Sequence, residues 1–292
     1  MKIGFIGFGE AARAFQASLA ETDATLAFAA YDILLDSEGP QGSCTTAMKE
    51  RGVTVVLSPA TGGFSDCDWI ISAVTADQSL EAARAAAAWL RPGQTFFDIN
   101  SVSPQRKRES AACVSATGAA YLDMAVMAPV HPKGHRTPVL LAGPAGDPVT
   151  RELADLGFDF EVVAPEAGAA TAIKMVRSLF VKGLEAITVE ALLAAQASGC
   201  LDYVLKSLGG SFPGLGWPDF AHYQFERTLT HGNRRAAEMR ESAATMAALG
   251  RNDRLADAIA DTQARLGAMK AGPQPNADLA AVLAALVPQS EQ

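Results

Sequence analysis

Short, unbroken apolar runs recur along the first half of the chain, at Lys2–Ile6, Thr25–Tyr31, Val53–Leu57, Trp69–Val74 and Thr95–Ile99. They lack polar alternation, as expected of strands covered on both faces of a parallel sheet. Between them, Ala11–Leu19, Cys44–Arg51 and Ser79–Leu90 carry helical spacing, and Pro92-Gly93 closes the last of these. Repeated strand–helix–strand order predicts a parallel sheet with right-handed crossovers. Ala120–Val126 and Val139–Ala142 extend the sheet, followed by a helix near Thr150–Leu156 and a strand near Asp159–Val163.

Beyond Pro165 the period changes. From Glu166 to Ser198 there is hardly a helix breaker and apolar residues recur at helical spacing, which predicts one long helix. The remainder is helix-rich, with breaks at Gly209–Pro218 and Gly272–Pro275. The expected organisation is an α/β domain over residues 1–165 and an all-helical domain over residues 166–292.

Composition narrows the picture. The 292 residues are 49% hydrophobic and 19% charged, which suits a soluble chain with a sizeable core. A formal net charge of −8 repels polyanions, so neither nucleic acid nor an anionic membrane is expected as a partner. The nearest thing to a basic run, Arg106-Lys107-Arg108, reads as the wet face of a helix. No apolar run reaches the roughly 18 residues of a spanning helix. The start, Met1-Lys2-Ile3-Gly4-Phe5-Ile6-Gly7, is too broken by glycine for a signal peptide. Cys44, Cys67, Cys113 and Cys200 are scattered without metal-type spacing, as suits reduced thiols in a cytoplasm.

The first chemical motif is Gly7-Phe8-Gly9-Glu10-Ala11-Ala12, directly after the first strand and opening the first helix. Gly7 permits a tight turn and Gly9 a close approach to a pyrophosphate on the helix N-terminus; Ala12 in place of a third glycine still allows helix–strand packing. Glycines alone often only make turns, but the strand before and the helix after are the context a dinucleotide site requires. Asp32 ends the second strand. It can accept hydrogen bonds from the adenosine ribose hydroxyls and would repel a 2′-phosphate; its plainer reading is a strand-end turn former. No Lys or Arg occurs between Arg13 and Lys49 to hold that phosphate, so the expected cofactor is NAD, with NADP disfavoured. The fold class is then α/β: an N-terminal Rossmann doubly wound parallel sheet plus an all-α C-terminal domain.

Four segments together resemble the beta-hydroxyacid dehydrogenase superfamily, which includes 3-hydroxyisobutyrate and 6-phosphogluconate dehydrogenases. They are the glycine turn, Asp98-Ile99-Asn100-Ser101-Val102-Ser103-Pro104, Asp123-Met124-Ala125-Val126-Met127-Ala128-Pro129, and Gly168-Ala169-Ala170-Thr171-Ala172-Ile173-Lys174-Met175-Val176-Arg177-Ser178. The resemblance implies an NAD(P)-dependent oxidoreductase acting on CH–OH groups. Lys174 is then the general acid/base, and Ser101, Met127, Ala128, His131 and Ser178 face the substrate. Gly7, Phe8, Gly9, Glu10, Ala11, Asp32, Val74 and Thr75 face the cofactor. A lysine in an apolar helix just after the domain boundary is placed to face a cleft between domains; the plainer reading is a snorkelling side chain. Desolvation or a cationic nicotinamide would lower an ammonium pKa from ~10.4 toward ~7–8, where proton transfer is efficient.

Two places depart from the family pattern. Ser178 stands where the family has asparagine, and Met127-Ala128-Pro129 replaces a serine-glycine-glycine loop; Pro129 has no N–H to donate. A bulkier, more apolar substrate than 3-hydroxyisobutyrate is therefore expected, packed on Met124 and Met127, with any anionic group met by His131, Arg234 or Arg235. The two arginines are read as beginning a helix of the C-terminal domain. His131 and His135 are not expected to bind a metal, because Pro132 and Gly134 interrupt the segment and no third ligand completes a set. Tyr203, Trp217, Tyr223 and Phe225 are read as core or cleft walls. Leu279, Val282, Leu283 and Leu286 in the last helix suit burial against a second copy, so a homodimer or higher homo-oligomer is expected. Two alternatives stand beside the dehydrogenase: an imine reductase, against which Lys174 argues, and a non-catalytic NAD-binding sensor or scaffold.

Overall fold

The computed structural model describes residues 1–269 and 278–287. The expected break at Gly272–Pro275 lies outside them. The chain forms two compact units, Met1–Lys174 and Met175–Gln292.

In the first unit, strands β1 (Lys2–Ile6), β2 (Ala27–Tyr31), β3 (Thr54–Val55), β4 (Trp69–Ser72), β5 (Thr95–Asp98), β6 (Ala120–Val126), β7 (Val139–Ala142) and β8 (Phe160–Ala164) form one sheet. Helices α1 (Glu10–Thr22), α2 (Leu34–Glu38), α3 (Ser43–Glu50), α4 (Ser79–Ala87), α5 (Pro104–Ser115) and α6 (Asp147–Asp155) lie between them in sequence. The sheet order is β3-β2-β1-β4-β5-β6-β7-β8, so the winding reverses between β1 and β4. Ligands of doubly wound folds bind at the carboxyl ends of strands flanking such a reversal.

All neighbouring strands are parallel except β6 and β7. That exception departs from the expected parallel order. The segment joining β6 to β7 holds only a 3-10 turn, Gly134–Arg136, where a parallel return needs a long crossover, usually a helix. Alternate strand residues face opposite sides. Ile3, Phe5, Trp69, Ile71 and Phe97 enter one core, while Ile6, Ile70 and Phe96 enter the other. Each such side chain contributes about 1.5–3 kcal/mol on burial, which is why the strands read as continuous apolar runs.

The basic run on α5 is not a wet face. Arg108 is exposed, Arg106 is half-buried, and Lys107 is completely buried at 0% exposure. Two buried carboxylates, described below, draw the lysine inward.

The second unit is built from most of α7 (Ala169–Ala197) with α8 (Leu201–Ser211), α9 (Asp219–Ala248), α10 (Asp253–Gly267) and α11 (Leu279–Leu286). Helices α9 and α10 approach closely through glycines: a Cβ on Gly232 would stand 2.3 Å from the Gln263 carbonyl oxygen. Leu279, Val282 and Leu283 are buried in this unit's own core with Val189, Leu192 and Phe225, and Leu286 packs on it. The expectation that they meet a partner chain is thus corrected, since α11 uses its apolar face to close its own unit. Phe225 is core and Trp217 packs on Phe220 at 5.1 Å between ring centroids. Tyr203 and Tyr223 are exposed and so are not core residues. Arg234 and Arg235 lie in the middle of α9 and do not begin it.

Candidate active site

The turn after β1 is built as a phosphate cradle requires. Gly7 has φ +81°, and a Cβ there would meet the Ala73 carbonyl oxygen at 2.4 Å, so only glycine fits. Gly9 caps α1 with no side-chain bond to the helix, and nothing stands within 4 Å of where its Cβ would be. That open helix N-terminus suits an anionic pyrophosphate. Glu10 is exposed and Ala11 half-buried at the mouth of the turn. Phe8 offers only backbone, because its ring lies in the core.

Asp32 fills the plainer of its expected roles, that of a strand-end turn former. Its Oδ2 accepts the Phe8 N–H at 2.7 Å and its Oδ1 accepts the Leu34 N–H at 3.0 Å. The carboxylate thereby ties the glycine turn to the end of β2 and retains lone pairs for further donors. The inference that no basic residue is nearby needs correction. Arg13 Nε donates to the Phe8 carbonyl at 2.8 Å and its guanidinium lies 5.7 Å from the Phe8 ring centroid. One helical turn brings it back over the turn it follows. Cys44 senses the same group of charges. Burial and the nearby Asp32 push its thiol above the ordinary range, and Arg13 opposes them.

Val74 and Thr75 follow β4, which adjoins β1, and Ser101 follows β5, the next strand over, all at carboxyl ends of the sheet. Asn100 latches these two ends together. Its Oδ1 accepts the Val74 N–H at 2.7 Å, while its Nδ2 donates to Asp98 at 2.7 Å and Ser72 Oγ at 3.0 Å. Lys174, half-buried in the first turns of α7, donates from Nζ to Ser101 Oγ at 2.6 Å. A lysine joined to a hydroxyl at this edge can hold or move a proton at an oxygen of a bound molecule.

Beneath them lies a network that sequence reasoning missed. Lys107 Nζ sits 2.9 Å from Asp98 Oδ1 and 3.3 Å from Asp123 Oδ1, and donates to the Asp98 carbonyl at 2.6 Å. Tyr121 donates its hydroxyl to Asp98 Oδ2 at 2.8 Å. Burial and the two carboxylates push the Tyr121 phenol well above its usual range. Burial foremost raises the Asp123 pKa, opposed by Lys107. The one sequence signal was the presence of Asp98 and Asp123 at strand positions where a charge needs a partner.

The remaining expected residues divide. Met127 is half-buried against Ala125, Ala142 and Ala170, while Ala128, Pro129 and His131 are exposed. Met124 is buried in the core and cannot line a substrate pocket as expected. His135 is fully buried: its ring bonds Ser18 Oγ at 2.7 Å and the Leu156 carbonyl at 2.8 Å, which makes it a packing residue. Among the described residues no group of three or more His, Cys, Asp or Glu is placed to hold a metal. In the second unit, buried Ser178 accepts from Lys182 Nζ at 3.2 Å, and Lys182 pairs with Glu238 at 3.0 Å. Arg235 is buried against Glu185, and exposed Arg234 pairs with Glu238 at 2.6 Å, so both arginines already hold carboxylates.

Residues 2–145 match the NAD binding domain of 6-phosphogluconate dehydrogenase, and residues 195–266 match a domain of unknown function, DUF1932. A conserved hypothetical protein of Sinorhizobium meliloti is 35% identical over 94% of this chain and 91% of its own, with a TM-score of 0.74. The chain belongs to the family that joins this 6-phosphogluconate dehydrogenase-type NAD-binding domain to a DUF1932 domain. The fold is shared with 3-hydroxyisobutyrate dehydrogenase of Mycobacterium tuberculosis, 19% identical over 98% of both chains with a TM-score of 0.72. A Streptomyces aurantiacus imine reductase shares it more distantly, at 18% identity over 91% of this chain and 94% of its own, with a TM-score of 0.58.

Proposed function

We propose that the protein is an NAD-dependent dehydrogenase that oxidises a hydroxyl group to a carbonyl, with Lys174 as general acid/base. The observation that carries this reading is the 2.6 Å bond from Lys174 Nζ to Ser101 Oγ, beside the reversal in sheet order where the glycine turn opens α1. The nicotinamide, when bound, accepts the hydride. The open N-terminus of α1 and the backbone around Gly9 hold the pyrophosphate, and Asp32 receives ribose hydroxyls. Ser101 orients the substrate oxygen, and Lys174 takes its proton in the oxidative direction.

Asp32 favours NAD over NADP, because its carboxylate at the end of β2 accepts ribose hydroxyls and repels a 2′-phosphate. The exposed loop Met127-Ala128-Pro129 is short of donors, which favours a substrate bulkier than 3-hydroxyisobutyrate. The second unit offers a stripe for a second copy: Val176, Phe180 and Ile187 lie on one face of α7 and are 50%, 69% and 66% exposed. The free state of all four cysteines suits a cytoplasmic setting. No described helix is long and apolar enough to cross a membrane. Imine reduction is the competing chemistry; a lysine placed as proton acceptor from a hydroxyl counts against it. Turnover of 3-hydroxy acids and polyols against imines, with NAD(P) oxidation or reduction followed spectroscopically, separates the two.

A further inference from the structure

Asp123 takes no part in the proposed proton transfer, yet it is fully buried in the middle of β6 and carries a carboxylate. Its Oδ2 accepts the Gly168 N–H at 3.1 Å and the Thr171 N–H at 3.0 Å. These are backbone donors at the start of α7, so the carboxylate acts as a cap supplied from another strand. Its Oδ1 rests on the Lys107 ammonium at 3.3 Å and makes no hydrogen bond among the described residues. Thr171 then donates its hydroxyl to the Val102 carbonyl at 2.8 Å, one residue past Ser101. Lys174 follows Thr171 by three residues on the same helix. Gly168 leaves no freedom at this joint: it has φ +96°, and a Cβ there would stand 2.8 Å from the Pro104 carbonyl oxygen.

We infer that Asp123 is a positioning residue for Lys174. Its carboxylate, held by Lys107, and the Thr171 hydroxyl fix the first turn of α7 to the loop that carries Ser101, and so fix Lys174 Nζ on Ser101. A buried ion cluster is weak evidence for stability, since desolvation offsets much of the Coulomb gain. Here it has a geometric use instead: three elements, β5, β6 and α5, converge on one helix start. Burial raises the Asp123 pKa, and the Lys107 ammonium and the Thr171 N–H oppose that rise, so the same contacts that hold the helix start favour the ionised acceptor.

The inference rests on the proposed role of Lys174, and its test includes a readout that needs no turnover. Lysines of the full-length protein are reductively methylated with ¹³C-formaldehyde, and the Lys174 signal is assigned by its loss in Lys174→Arg. In Asp123→Asn the signal and its pH titration should move from those of the unmodified protein. With a substrate in hand, kcat should fall about 10- to 100-fold while KM and NAD affinity stay within about twofold, as misplacement of a proton-transfer group predicts. Thr171→Val removes one tether and leaves the buried charges whole, so it answers the question should Asp123→Asn not fold; the same signal should move. An unmoved Lys174 signal in a folded variant overturns the inference. Absence of any turnover in the unmodified protein overturns the dehydrogenase reading instead, while the signal still decides the positioning role.

Discussion

At the scale of single residues, the proposed chemistry rests on Lys174 and Asp32. Lys174→Ala should lower kcat about 10²–10⁴-fold, the usual cost of losing a positioned general acid–base, with NAD affinity nearly intact. Steady-state kinetics with a binding titration checks this; retention of a large share of activity would remove the lysine from the role. Asp32→Ala should relax the preference for NAD over NADP, measured as the ratio of the two kcat/KM values. It should also lower stability, because Phe8 and Leu34 lose a charged acceptor worth about 1.5–3 kcal/mol. Equal use of both cofactors by the unmodified protein would contradict the first part. These residues were legible because strand, turn and helix are contiguous: Gly7 to Ala12 and the end of β2 can be read without any fold. Lys107 was not legible. Its partners Asp98 and Asp123 come from two different strands, so in sequence it looked like part of a wet basic run.

At the scale of elements, apolar runs marked β1, β6 and β7 to the residue, because strands covered on both faces are predominantly apolar, with Asp123 the buried exception in β6. A helix was read at Arg106-Lys107-Arg108, where α5 lies, but not its bounds or its buried lysine, and the antiparallel turn of β7 depends on the absence of a crossover helix, which spacing alone did not reveal. The loop before β7 carries a pH-dependent joint. Burial lowers the His135 pKa below its ordinary 6.5, so the native state holds the neutral ring and the unfolded chain binds the proton more readily. Stability from this site is present above about pH 6.5 and is lost as pH falls through that value toward the folded pKa. Thermal unfolding from pH 8 to pH 5 should show this acid-side loss, and His135→Asn should flatten it. An unchanged slope in that variant would place the loss elsewhere.

At the scale of the whole molecule, the second unit was foreseen as all-helical, but not which of its apolar residues close the core. Leu279, Val282 and Leu283 look no different in sequence from an interface stripe; only packing shows them covered by α7 and α9. Pairing through the exposed face of α7 predicts a dimer in sedimentation velocity, shifted toward monomer by Phe180→Asp without loss of helicity. A monomeric unmodified protein would contradict pairing and leave the active-site account untouched. That account is tested most directly by one assay: a panel of 3-hydroxy acids and polyols, small and bulky, offered with NAD and followed at the nicotinamide absorbance, for the unmodified protein beside Lys174→Ala. The account predicts NADH formation with a bulkier hydroxy substrate and its near-complete loss in Lys174→Ala. Reduction of NAD that survives in Lys174→Ala, or bound NAD that no hydroxyl substrate reduces, would contradict it.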